Sequence, residues 1–281
     1  MNHLSLAMSS LFETIIKYII CIHFFICLSL SSFLISCQEA IPLSKTTSNA
    51  QSPQAWNALL QKAVSGKKVN YQILQKHHEV LDAYMHWIAT HGPHTQKYPN
   101  SKEDKKIVFY ANAYNAAVLY AVLKNAPISS VRDVDAGFFQ QENVGFFLGQ
   151  LFLIDGEWMS LFHLEHDLLL GQFQDPRIHV MLNCASRGCP PLRYWKRKNL
   201  NEQLDLHWKY FVRESLQPTP TGWGISELFF WYEKDFLQWS RSSNLCVYLL
   251  PYAQDGAKDW LIKHKELCPL SSFPYDWSLN D

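Results

Sequence analysis

A stretch that is apolar on every side leaves a folding chain one option: other segments must wrap it. Ile107-Val108-Phe109-Tyr110-Ala111-Asn112-Ala113-Tyr114-Asn115-Ala116-Ala117-Val118-Leu119 is such a stretch. The spacing predicts a helix over 101–125, opened by Ser101 with Asp104 in a variant of the capping box. A helix with no polar face is a buried helix. Asn112 and Asn115 interrupt it three positions apart, so they share a side. A buried amide left without partners destabilises by roughly 1–3 kcal/mol. Both must therefore reach a loop backbone or a site.

The densest group of reactive side chains lies elsewhere, in Arg177-Ile178-His179-Val180-Met181-Leu182-Asn183-Cys184-Ala185-Ser186-Arg187-Gly188-Cys189-Pro190-Pro191-Leu192. Its β-branched, apolar start predicts a buried strand, and its small residues and double proline predict a tight loop after it. The remaining elements are mostly helical. Pro53 at a first helical position after Ser52 starts a helix over 55–64, ended at Gly66. A second helix is expected over 71–89. The β-rich residues 144–154 and the Asp155-Gly156 turn predict a hairpin or two short strands. Ser160 caps a helix to about Gly171 that carries His163, Glu165, His166 and Asp167. Helices follow over 200–216, 245–252 and 257–264, with a loop at 218–224. The aromatic end, Phe273 to Asp281, is expected to pack onto the body. No repeat or internal linker is visible. The pattern predicts one mainly helical α+β domain over 53–281 with a small sheet, for which a papain-like or transglutaminase-like arrangement is one form.

The amino terminus reads differently. Lys17 precedes an uncharged apolar run, Tyr18 to Ile35, that ends in Leu34-Ile35-Ser36-Cys37. A basic residue, an apolar core and small residues make an export signal over 1–37. The ending resembles a bacterial lipobox, which implies cleavage before Cys37 and its lipidation. An uncleaved anchor helix is the rival, because the run approaches the roughly 20 residues a bilayer needs. Either places the remainder outside the cytoplasm, held to the bacterial envelope membrane. Residues 38–52, rich in Ser, Thr, Pro, Gln and Asn, read as a tether. Cys184, Cys189, Cys246 and Cys268 follow it, enough for two disulfides of unspecified pairing. Charge balances at 25 Lys+Arg against 25 Asp+Glu, which argues against a nucleic-acid partner. The basic run Arg193 to Lys198 reads as a solvated turn.

Several short patterns recur in an order that resembles a known family. They are Asn112-Ala-Tyr-Asn115-Ala, Ser160-Leu with Glu165-His166, Arg177-Ile-His179 through Asn183-Cys184, Cys189-Pro-Pro-Leu192, Asp235-Phe236, and Tyr275-Asp276-Trp277-Ser-Leu-Asn280. Together they resemble the DUF547 family from about Val69 onward. The resemblance implies a single domain of the kind found in bacterial exported proteins and lipoproteins and in plant proteins. It implies no reaction.

Three chemistries fit these groups. In a thiol-dependent hydrolase or transferase, Cys184 is the nucleophile. His166 or His179 is its base, and Asn112, Asn115 or Glu165 orients the imidazole. Backbone N–H groups after Cys184 would hold an oxyanion. Five positions separate His179 from Cys184, which puts them on opposite faces of an ideal strand and favours His166. In a metal site, His166, His179, Cys184 and Cys189 form a zinc set of two nitrogens and two sulfurs, the only cofactor the sequence suggests. In a binding or scaffold domain, Cys184 and Cys189 are joined and the loop meets a peptide, protein or envelope polymer without catalysis.

Overall fold

The computed structural model describes residues 38–43, 53–96, 102–134 and 144–281. The expected export signal over 1–37, the lipidation of Cys37, most of the tether, and the caps Ser52 and Ser101 lie outside the described residues. Gln38–Asp281 makes one compact unit. The first residues of the expected tether are packed: β1 (Glu39–Ala40) runs parallel to β4 (Gln150–Ile154), and the Tyr120 hydroxyl donates to Pro42 O.

The apolar helix sits where its composition requires. It is α4 (Glu103–Asn125), and Ile107 and every residue from Phe109 to Val122 are buried. Among the described residues it is the one helix long and apolar enough to cross a bilayer, and 78% of its most apolar window is covered by the rest of the protein. Against it packs α3 (His78–Thr90), which in turn carries α1 (Pro53–Ala63) and α2 (Tyr71–Lys76). The single helix expected over 71–89 is two, because His77 leaves helical geometry (φ −118°, ψ 34°). Asn70 caps the first piece by accepting from the Ile73 N–H. Between α1 and α2, Val64–Ser65 and Lys68–Val69 (β2 and β3) form a small hairpin around Gly66.

A short helix α5 (Val144–Phe147) leads into the predicted hairpin, whose first strand packs on α3. Strand β4 pairs antiparallel with β5 (Glu157–Ser160), completing the sheet β1-β4-β5. Asp155 at its tip is buried, and its carboxylate accepts from the His94 and Thr95 N–H groups and from the Tyr110 hydroxyl. That turn therefore ties the hairpin to the end of α3.

Two expectations fail locally. Residues 177–183 are not a strand; Pro176–Val180 is a 3-10 turn. Asp175 accepts from the Arg177 N–H and Pro176 fixes the first helical φ, so the local start signal outweighs the β-branched residues. The loop at 218–224 is a hairpin, β6 (Gln217–Thr219) and β7 (Gly222–Ser226), which β8 (Ser271–Phe273) joins in parallel. Helices α6 (Leu200–Ser215), α7 (Leu228–Trp231), α8 (Glu233–Ser240), α9 (Leu245–Leu249) and α10 (Asp255–His264) close that half. The basic run is engaged rather than simply solvated: Arg193 meets His207 and Arg197 pairs with Asp104. The fold class is the predicted one, mainly helical α+β, with three small sheets rather than one.

Candidate functional site: an aromatic pocket with a disulfide in its wall

The Cys184 loop belongs to no named strand, and side-chain amides take over much of its backbone bonding. Asn115 donates to Met181 O (2.8 Å) and accepts from the Asn183 N–H (2.9 Å). Asn112 does the same for Trp195 at 2.9 Å in both directions. Asn183 donates to Pro190 O and accepts from the Ala185 N–H. That last bond holds Ala185 at φ +63°, a left-handed conformation that costs a residue with a Cβ roughly 1–2 kcal/mol.

The carboxyl-terminal segment lies along the same loop, as expected of so aromatic an end. The Arg187 N–H donates to Ser278 O, the Gly188 N–H to Asp276 O, and the Asn280 N–H to Ala185 O. The Asn280 amide also donates to Asn183 Oδ1. Gly188 is required here: a Cβ would sit 2.8 Å from the Tyr275 ring. That close approach sets the Tyr275 hydroxyl 3.2 Å from Cys184 Sγ and 3.0 Å from Cys189 Sγ.

Cys184 and Cys189 are joined, and so are Cys246 and Cys268. The first disulfide lines a cavity of about 280 Å³. Glu165, His166 and His179 line it too, so four of the six sequence-nominated catalytic residues converge. The remaining two, Asn112 and Asn115, spend their amides on loop backbone and reach no imidazole. Glu165 and His166, expected about a hundred degrees apart on an α-helix, both face the cavity. They sit on a wider coil than expected: His163–Leu170 is a π-helix with i→i+5 bonds. With no strand at 177–183, the argument that separated His179 from Cys184 also lapses.

Charge in the cavity centres on Glu165. The Tyr232 hydroxyl donates to Glu165 Oε1 at 3.1 Å. The negative charge of Glu165, then burial, pushes the Tyr232 phenol far up. Burial first and Glu165 second do the same to Tyr114 and Tyr275. All three stay protonated. His179 lies 4.0 Å ring to ring from Tyr232, and its Nε2 is 3.2 Å from Asp235 Oδ2. The group that orients an imidazole is thus Asp235, which the sequence reading quoted for family resemblance alone. Trp231, Tyr275 and Trp277 make one aromatic wall, with centroids 4.8–5.8 Å apart. Phe162 lies tilted against His166, 4.2 Å between ring centroids, on another. Of these, only Tyr275 and Trp277 carried a sequence signal, as part of an aromatic end.

The zinc set is not assembled. Both sulfurs are bonded to each other, and among the described residues no three His, Cys, Asp or Glu side chains gather as metal ligands.

These features define a pocketed α+β domain with a disulfide in its wall. The family model described as "Protein of unknown function, DUF547" matches residues 98–212. The family the sequence resembles is thus the one whose model it matches, over α4, the π-helix, the disulfide loop and most of α6. The Asp235 and Tyr275–Asn280 patterns fall outside that match. No curated protein and no solved structure matches the chain.

Proposed function

We propose that the chain is an exported, membrane-tethered binding domain, whose aromatic pocket holds a small molecule or a projecting group of a peptide, protein or envelope polymer. The observation that carries this reading is the cavity itself: about 280 Å³, walled by aromatic rings and furnished with one carboxylate and two imidazoles. Ligand sites are concave and largely apolar, with a few convergent polar groups. The tether rests on residues 1–37 and their lipobox-like end. Acyl chains on Cys37 would move the protein into a detergent phase, and Cys37→Ala would return it to the aqueous phase. Ligand-observed NMR with a mixed fragment library tests the pocket. Fragments should bind the wild type and lose contact in Trp231→Ala, a substitution at a half-exposed position. Identical binding to both proteins would remove the pocket from the account.

A second reading, a thiol-dependent hydrolase or transferase with a papain-like or transglutaminase-like arrangement, is favoured by one observation. Cys184 is only half-buried and opens into the same cavity as His166. A dithiol reductant would give Cys184 and Cys189 one hydrogen each and become a disulfide itself. Cys184 would then be a thiol with His166 as candidate base and the Tyr275 hydroxyl beside it. In the joined state it has no thiolate to offer, which ranks this reading second. Turnover of an activated ester that needs prior reduction and disappears in Cys184→Ala would reverse the ranking.

A further inference from the structure

Resting on the binding reading above, we infer that the pocket selects a ligand bearing an alkylammonium group. Its described lining contains no Lys or Arg, and its single carboxylate is Glu165. Among the described residues no Lys, Arg or His nitrogen lies within ion-pair distance of that carboxylate. Its hydrogen bond comes instead from a neutral phenol, Tyr232. A carboxylate lining a cavity, with one hydroxyl partner and no cation beside it among the described residues, is a site that a cation completes.

The walls agree with the charge. Ring faces attract ammonium groups within about 6 Å of the ring centre, most strongly for tryptophan and more so where water is excluded. Trp231, Tyr232, Tyr275 and Trp277 surround the space beside Glu165. The protein already uses one of these rings in this way from outside: the Arg132 guanidinium sits 4.4 Å from the Trp277 centroid. The disulfide, Leu182 and Pro190 add apolar surface without donors that would compete for the carboxylate. The imidazole nearest a second carboxylate, His179, is held by Asp235.

The test uses the full chain in a detergent without choline, titrated by calorimetry with choline, with n-butylammonium, and with 3,3-dimethylbutan-1-ol, the uncharged carbon isostere of choline. At least one cation should bind about tenfold or more tighter than the alcohol, a difference worth about 1.4 kcal/mol. Glu165→Gln should erase that preference while the protein still melts cooperatively, and Trp231→Ala should weaken cation binding several-fold. Vesicles of phosphatidylcholine, against vesicles of phosphatidylglycerol, then identify the source. Displacement of the bound cation by the first kind alone makes the ligand a lipid headgroup, and no displacement makes it a soluble cation. Equal binding of alcohol and cations, or a preference that survives Glu165→Gln, overturns the inference. If the alcohol binds in a Trp231-dependent way without any cation preference, the inference falls and the binding reading stands. If neither the probes nor the fragment library touch the pocket, both fall.

Discussion

The two disulfides share a local design and differ in everything around it. In each, the backbone N–H of the first cysteine donates to the sulfur of the second: Cys184 to Cys189 at 2.8 Å, Cys246 to Cys268 at 3.0 Å. In each, one partner is buried and the other half-buried. Cys246–Cys268 spans 22 residues and joins α9 to the turn after α10. It restrains a long piece of chain. Cys184–Cys189 spans five residues, in a loop already bound by Asn115, Asn183 and Asn280. There is little freedom left for it to remove, yet it faces the cavity. One bond braces the fold and the other shapes a surface.

Removing both cysteines of the long-span pair, by Cys246→Ala with Cys268→Ala, should cost about 3 kcal/mol from loop-closure entropy, read by chemical denaturation. Asn115→Ala should follow at about 2–3 kcal/mol, because Met181 O and the Asn183 N–H lose their partner in a buried setting. Cys184→Ala with Cys189→Ala should cost at most about 2 kcal/mol. A larger loss there than in Asn115→Ala would break the comparison, since the bridge and not the amides would be holding the loop. A smaller effect sharpens it: after brief reduction, iodoacetamide should label Cys184 well ahead of Cys189, which is 3% exposed. Mass spectrometry of the labelled peptides would show it.

The smallest effect concerns pH. Burial, then the neighbouring Arg193, lowers His207 to about 4 from its usual 6.5. Between those values the unfolded chain binds a proton that the folded chain refuses, so stability falls as pH drops from 6.5 towards 4 and loses no more from this source below that. His207→Gln should flatten the slope of unfolding free energy across that window. The disulfide loop, which depends on amides that do not titrate, should show no matching change in cysteine labelling.

How much of this was legible beforehand depended on whether a signal was local. Helix α4 was, because an all-round apolar run has one fate. Glu165, His166, His179 and Cys184 stood out because reactive side chains are scarce in a mostly apolar chain, and the fold brings them to one cavity. The strand expected at 177–183 was misread because Asp175-Pro176 starts a helical turn that the following β-branched residues disguise. The π-helix that carries Glu165 and His166 was not expected, and no composition announces one. The aromatic wall was the least legible part. In sequence a pocket tryptophan such as Trp231 is indistinguishable from a core one such as Trp208, and only the fold tells them apart. Asn112 and Asn115 were placed correctly as buried amides with polar targets, and the target was backbone.

One wall of the cavity comes from Tyr275 and Trp277, and the loop below it is latched by Asn280. Those residues leave the ribosome after every other described part of the site. A nascent chain can therefore build α4 and its surrounding helices while the cavity stays open on one side. Whatever the pocket holds, it gains a complete binding surface only once that late segment has docked.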